Sequence, residues 1–398
     1  MSSLAHEALR RAGRPATAER QLGVVMLMNR FHPFVGGYQT QSLRLGQKLL
    51  GKDVDVHVVT ARFGVLPRYE VHQGIPIHRV TTFGRGHLSA LSYLVSSFVW
   101  MIRHRKRFHV VHANRVSSGV VAGVIGFVLG KRVLCRPARG EELDVLGRGL
   151  FGRLKLECLR RTVDRFVAIT RGIEADLEGL GIARDRIVRV DNGVDLEAGD
   201  ADGAATRASL GWNEAATVVT FVGRLVAEKG VDWLLDAWRG VARENAGARL
   251  LVVGDGPEAH ALRERAERLG ISDSVRFVGN RSNVFPYLAA SDVFILPSRL
   301  EGSSNALLEA MSRALPVVVG DDRLGGNREL VDDGVEGFVV PLDDEEALRA
   351  RLVELVRKPL VRAVMGKHAR QRVERHRSID VAADRYREIY ASLVGISG

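Results

Sequence analysis

Glu301-Gly-Ser-Ser-Asn-Ala-Leu-Leu-Glu309 combines two carboxylates with the opening of a helix. The segment follows an apolar run that ends in Leu296-Pro297-Ser298, and Ser303, Ser304 and Asn305 all suit an N-cap. A helix beginning here offers unpaired N–H groups and the positive end of its dipole, which together suit an anion. Glu309 lies about 6–8 Å further along the axis. That offset fits a ribose joined to a diphosphate held at the helix start, since a carboxylate can accept from ribose hydroxyls. A capping residue followed by an ordinary surface Glu would give the same letters.

Phe221-Val-Gly-Arg224-Leu-Val-Ala-Glu-Lys229-Gly230 carries a second signal. An apolar run enters a glycine turn, and two cations follow, one a fork of donors and the other a point charge. Together Arg224 and Lys229 could neutralise a leaving diphosphate; as plain surface cations they would need no function. In Val253-Gly254-Asp255-Gly256-Pro257, Gly254 and Gly256 permit a tight turn or a close backbone approach to a ligand. In the first half, Gly36-Gly37 follows the first apolar run and precedes a helix. Its spacing is not G-x-G-x-x-G, yet its N–H groups could still reach a phosphate. His112 closes the run Val110-Val111-His112, and Asn114 shares its face if the strand continues. It could hold a sugar hydroxyl, or be a satisfied structural histidine. Asp53-Val54-Asp55 looks like a metal-binding Asp-x-Asp pair, but it begins a strand and so lies at the wrong edge of a sheet. No other cluster has the ligand spacing of zinc, calcium or magnesium sites.

These residues need strands whose carboxyl ends meet in a cleft. Short apolar runs at Leu22–Met28, Val54–Thr60, Val110–His112, Arg132–Leu134, Phe166–Ile169 and Ile187–Val190 alternate with helical spacing at Thr40–Leu50 and Val116–Leu129. After Asn192-Gly193 the texture turns small and polar from Glu197 to Ala208, which reads as a junction. The alternation then restarts with strands at Val218–Val222, Arg249–Val253, Val275–Val278, Val293–Leu296 and Val317–Val319. Helices are expected at Val231–Asn245, Ala259–Leu269 and Asn305–Arg313, and across most of Glu345–Val394. The expected fold is α/β, two Rossmann-like doubly wound domains facing a cleft. The division is a flexible lead-in over 1–20, an acceptor-side domain over 21–196, a nucleotide-binding domain over 197–375, and a tail over 376–398 that crosses back to the first domain.

With 398 residues there is material for two cores. The net charge of +11 is one-sided: residues 1–200 hold 31 Lys+Arg against 18 Asp+Glu, and residues 201–398 hold 27 against 29. A basic first half suggests an anionic contact such as lipid head groups, an anionic acceptor or nucleic acid; an Arg-rich proteome would give the same excess. Two cysteines, Cys135 and Cys158, exclude a disulfide framework and favour a reducing cytoplasm. The first twenty residues lack the apolar core of a secretory signal. Leu88 to Ile102 is the longest apolar stretch, short of the ~20 residues that span a bilayer. Followed by Arg103, Arg105, Lys106 and Arg107, it reads either as a buried helix or as a membrane-touching helix with a basic collar.

Taken together, residues 22–390 resemble glycosyltransferase family 4, whose members have the GT-B fold. The likeness is carried by Glu301–Glu309 continuing into Ala310-Met311 and Leu315-Pro316-Val317-Val318. It is supported, in the family's order, by Asn192-Gly193-Val194-Asp195, Gly223-Arg224 with Lys229-Gly230, Gly254-Asp255-Gly256-Pro257 and Gly325-Gly326-Asn327-Arg328-Glu329. The resemblance implies a retaining, metal-independent transfer from a nucleotide-diphosphate sugar, with no cofactor. Arg224 and Lys229 would pair with the diphosphate, and Ser304 with the backbone of Asn305, Ala306 and Leu307 would cap it. Glu309 would bind ribose, Glu301 the transferred sugar, and Gly36 and Gly37 would approach the phosphates and acceptor. Relatives commonly carry His at the position of Asn114, which leaves open whether it or His112 meets the sugar.

The expected partners are a nucleotide-sugar donor, a glycan, lipid-linked or small-molecule acceptor in cell-envelope or exopolysaccharide synthesis, and an anionic membrane surface on the cytoplasmic side. A sugar-nucleotide epimerase or phosphorylase would share the fold. A nucleic-acid-binding protein would share the charge, but no stacking motif accompanies it and aromatics are 6%.

Overall fold

The computed structural model describes residues 22–34, 36–84, 86–138, 141–197 and 201–396. The lead-in expected over 1–20 lies outside them. Apolar runs interrupted by glycines and polar residues become strands, and each helix between them buries one face on the sheet they form. In the first half these are β1 (Leu22–Leu27), β2 (Val54–Ala61), β3 (Tyr69–His72), β4 (Ile75–Val80), β5 (Val110–Asn114), β6 (Arg132–Arg136), β7 (Arg165–Ala168) and β8 (Ile187–Arg189). They make one eight-stranded sheet in the order β3-β4-β2-β1-β5-β6-β7-β8. Every pairing is parallel except β3 with β4.

The second half contributes β9 (Thr217–Val222), β10 (Ala248–Val253), β11 (Val275–Gly279), β12 (Val293–Leu296), β13 (Val317–Gly320) and β14 (Gly337–Val340). These form an all-parallel sheet in the order β11-β10-β9-β12-β13-β14. Strand order reverses beside β1 in one sheet and beside β9 in the other, the crevice where doubly wound sheets receive ligands.

Both faces of the first sheet are covered. Helix Gly37–Leu50 and the last helix, Ile379–Val394, bury Leu45, Leu49, Ile379, Tyr386 and Tyr390 against one face. Helices His87–His104, Val116–Leu129 and Gly149–Thr162 cover the other, through Met101, Ile125 and Leu159. The chain passes between the halves twice, and the two passes lie side by side. Val194 N–H donates to Arg377 O at 2.8 Å, and Ile379 N–H donates to Val194 O at 2.9 Å. Gly193 is needed at this crossing because a Cβ there would lie 2.5 Å from the Ile379 Cα.

Three departures from the sequence expectation matter. An antiparallel pair, β3–β4, turns at Gln73-Gly74, both at positive φ. Helix Gly203–Ser209, capped by Asp202, begins within the polar stretch that reads as the junction, where no apolar period announces it. β5 and β6 each run two residues further than the apolar pattern indicated, to Asn114 and Arg136, which sit directly opposite each other. Asp53 and Asp55 do flank the amino end of β2.

Candidate active site

The second-half loops are built on glycines and one buried carboxylate. Gly254, at φ +143, lies so close to the loop after β9 that a Cβ would be 1.8 Å from Gly223 O, and one on Gly256 would be 2.2 Å from Leu225 O. The close approach these glycines allow is therefore to neighbouring backbone, and it clamps the loop that carries Arg224. Arg224 is exposed.

Lys229 ends a short 3-10 turn, and Gly230 follows at φ +67 with Pro297 O and the Trp233 indole packed against it. Arg299 braces the same turn: its guanidinium grips Asp232 at 2.8 and 2.9 Å and donates to Ala227 O at 2.9 Å. So fixed, Lys229 Nζ ion-pairs with Glu301 Oε2, which Ser298 Oγ also approaches at 3.5 Å.

Glu301 is buried, and its backbone is held in turn by Asp322. That carboxylate accepts from the N–H of Glu301 at 3.2 Å, Leu324 at 2.9 Å, Gly326 at 3.3 Å and Asn327 at 2.8 Å. Two loops are thus tied by one buried anion satisfied by backbone donors. Gly326 completes the fit, since a Cβ there would lie 2.2 Å from Glu301 O.

Helix Asn305–Ser312 opens at this point. Ser304 is its N-cap, its hydroxyl accepting from Leu307 N–H at 3.2 Å. Leu307 N–H is thereby engaged within the helix, and the N–H groups of Asn305 and Ala306 are the ones the cap leaves to the cleft. Glu309 sits one turn on, buried, with Oε1 2.6 Å from Arg44 Nη2 of the first-half helix. Burial pushes its carboxyl above the usual range, and the Arg44 charge pulls the other way.

A relay of side chains joins this helix start to the first sheet. Arg136 donates to Asn114 Oδ1 at 3.3 Å and to Asn192 Oδ1 at 2.5 Å. Asn192 Nδ2 donates to Asn305 Oδ1 at 3.3 Å, and Asn305 Nδ2 donates to Gly37 O at 2.8 Å. A guanidinium can only donate, so Arg136 fixes the orientation of every amide in the chain. Gly37 therefore touches the second half through its carbonyl, while Gly36 precedes the helix at an extended φ of −174.

The structure brings Arg224, Lys229, Glu301 and Ser304 onto the loops after the neighbouring strands β9 and β12, and Asn305–Leu307 and Glu309 onto the helix that follows, with Gly36-Gly37 facing them. His112 lies across from them on β5 of the first sheet. It is fully buried, its Nδ1 2.7 Å from the Tyr390 hydroxyl, and it stacks on Tyr386 at 5.2 Å. Burial, and secondarily the Arg136 charge, pull it down to about 3. Asn114, two residues nearer the strand end, is the residue linked to the cleft relay. Arg44, Arg136 and Asp322 join the site without belonging to any of the motifs above. Only Asp322 had a signal, lying three residues before the Gly325-Gly326 pair. Among the described residues no group of three His, Cys, Asp or Glu side chains is arranged to hold a metal.

Two Rossmann-like sheets meeting across these loops, each with its strand-order reversal at the crevice, make this a protein of the GT-B fold class. Solved structures share this fold. An Anabaena protein, HepE, in complex with UDP and glucose aligns with a TM-score of 0.78 over 93% of this chain and 100% of that one, at 20% identity. Sucrose-phosphate synthase from Thermosynechococcus elongatus aligns at 0.79 over 94% and 100%, also at 20% identity.

Residues 35–198 match the family model described as Glycosyltransferase Family 4, and residues 216–358 match Glycosyl transferases group 1. The chain belongs to glycosyltransferase family 4, and glycosyl transfer is its activity. It is 36% identical over 250 residues to the D-inositol 3-phosphate glycosyltransferase of Saccharomonospora viridis, a match that spans 58% of this chain and 57% of that enzyme. It is 24% identical to the N-acetyl-alpha-D-glucosaminyl L-malate synthase of Bacillus anthracis over 90% of this chain and 94% of that one. An Escherichia coli UDP-Gal:alpha-D-GlcNAc-diphosphoundecaprenol alpha-1,3-galactosyltransferase is 23% identical over 91% and 95%.

Proposed function

We propose that this enzyme is a retaining, metal-independent transferase whose second domain, 197–375, holds a nucleotide-diphosphate sugar and whose first domain, 21–196, presents the acceptor. The observation that carries the reading is the Lys229–Glu301 pair beside the Ser304-capped helix start. It sets a cation and two backbone donors where a diphosphate would leave, and a carboxylate where sugar hydroxyls would lie. Breaking the anomeric C–O bond puts negative charge on the departing diphosphate. Lys229, the exposed Arg224 and the N–H groups of Asn305 and Ala306 stabilise that charge without reorganising, which lowers the barrier. The acceptor oxygen bonds to the anomeric carbon from the face the diphosphate leaves, and its proton passes to the departing phosphate oxygen. Glu301 orients the sugar, and Glu309 receives the ribose hydroxyls in place of Arg44.

Incubation with a panel of nucleotide-diphosphate sugars and candidate glycan acceptors tests this. An α-linked donor should yield an α-linked product by proton coupling constants, with turnover unaffected by EDTA. An inverted product, or loss of turnover on chelation that added metal restores, would refute the respective half.

The acceptor fits cell-envelope or exopolysaccharide assembly on the cytoplasmic side, with the first domain resting on an anionic bilayer. No described helix is long and apolar enough to cross a membrane. Docking is supported instead by three neighbouring helices that leave Leu88, Leu91, Val95, Val99, Phe127 and Phe151 exposed, with Arg103, Arg105, Lys106 and Arg107 exposed at the end of the first. Vesicles containing anionic lipid should float the protein at low salt; failure to float would remove this part.

A further inference from the structure

We propose that Arg136 is the receptor for an anionic group, a carboxylate or a phosphate ester, on the acceptor. This rests on the donor lying in the second domain, and it assigns the acceptor's chemical class. Two arginines are buried among the described residues, Arg79 and Arg136. Arg79 is neutralised by Glu70 at 2.6 Å. Arg136 is bonded only to the two amide oxygens of Asn114 and Asn192. Glu142, on the helix after β6, is turned away: it accepts from Arg115 at 3.1 Å and from the N–H groups of Val116 and Ala138. A buried cation without a counter-ion is costly. The cost is relieved if the counter-ion arrives with a substrate.

The surroundings suit that arrival. Because Arg136 turns the Asn114 oxygen towards itself, Asn114 Nδ2 is left buried with no partner, and so is His112 Nε2 on the same face of β5. His112 is neutral throughout the physiological range, with its other nitrogen tied to Tyr390. A fork, an amide donor and a neutral imidazole thus stand together at the carboxyl ends of β5 and β6. An oxyanion can take the first two, and a neighbouring hydroxyl the third.

The donor's diphosphate is a less fitting occupant. Lys229, Arg224 and the helix start already answer its charge from the second domain, whereas Arg136 is a first-domain residue that reaches that helix only through Asn192 and Asn305. An anion on Arg136 would anchor the acceptor on the first-domain wall, with its nucleophilic hydroxyl turned to the sugar.

The test uses the full chain, with sodium phosphate and sodium malonate as probes in calorimetry and thermal denaturation, in the absence and presence of saturating UDP or GDP. Phosphate or malonate, whichever matches the acceptor's anion, should bind the wild type and should still bind with the nucleotide present. Arg136→Met should weaken that binding at least tenfold, with Arg136→Lys intermediate. Asn114→Asp supplies an internal counter-ion, so it should raise Tm and suppress probe binding. If Arg136→Met does not fold, Arg136→Lys and Asn114→Asp still decide the matter. Equal probe binding in wild type and Asn114→Asp would overturn the proposal, as would no binding of either probe to wild type. One-for-one displacement of the probe by UDP or GDP would assign Arg136 to the donor instead. Failure of both nucleotides to bind, with probe binding intact, would bring down the donor reading alone.

Discussion

Replacing Lys229 by Met separates a catalytic charge from a structural one. The ammonium is about one-fifth exposed and its Glu301 partner less than one-tenth (21% and 9% of the side chains), so the pair is neither a surface bridge nor fully dry. Removing the cation leaves Glu301 unpaired apart from a distant Ser298 hydroxyl at 3.5 Å. The orphaned carboxylate should cost about 1–2 kcal/mol of stability, since water can partly reach it. In a domain of this size that is a Tm fall of about 2–8 °C.

The transition state should lose more. A preorganised donor to a developing anion is worth about 3 kcal/mol, near a hundredfold in kcat. Lys229→Met with Glu301→Gln removes the orphaned charge, so Tm should recover while the rate does not. The assay is release of nucleoside diphosphate at saturating donor, alongside thermal melts of wild type, single and double variants. Turnover within threefold of wild type in Lys229→Met would refute the reasoning. Parallel recovery of rate and Tm in the double variant would show that the residue acts only through folding.

Arg44→Met should leave Glu309 buried without its cation, lowering Tm by several degrees. Glu309→Gln in the same chain should restore most of the loss, and no coupling between the two changes would contradict the ion pair. Asp322→Ala should strand four backbone N–H groups and lower both Tm and kcat; unchanged donor turnover would show that the loops hold their shape without it. His112 predicts a pH effect with a definite sign. Its folded value is pulled down to about 3, below the unfolded ~6.5. The unfolded chain therefore binds the extra proton, and stability falls as pH drops below about 6.5, by about 1.4 kcal/mol per pH unit from this group. Denaturant melts of wild type and His112→Gln between pH 7 and 5 should diverge accordingly; parallel curves would contradict the buried neutral imidazole.

Much of this architecture can be read from single residues. In Val116–Leu129 and Val293–Leu296 the apolar pattern meets a clear stop at each end, and the elements have those bounds. Helix 305–312 was legible because Ser304 is a strong cap before good helix formers. The shortfalls have physical causes. The apolar run of β5 stops short of its ladder, which continues through Ala113 and Asn114 opposite Cys135 and Arg136. Two residues of extension carry Asn114 to the strand end, and His112, two residues back on the same face, is braced by Tyr390. Gly254 and Gly256 suit a tight turn or a close approach to a ligand equally well in the sequence, and the structure sets them against the adjacent loop's backbone. Arg44 and Glu309 are 265 residues apart, and Arg136 reaches the second half only through Asn192. Such pairings follow from how two sheets face each other, which no local pattern encodes.

The central claim is that positive charge and helix N–H groups of the second sheet receive the diphosphate. Its most direct measurement is the calorimetric affinity of UDP or GDP for wild type against Arg224→Met, Lys229→Met. Two charge-assisted contacts of about 1.5–3 kcal/mol each predict at least a hundredfold weaker binding in the double variant, with the difference shrinking as salt is raised. Affinities within threefold of each other would place the nucleotide elsewhere and contradict the account.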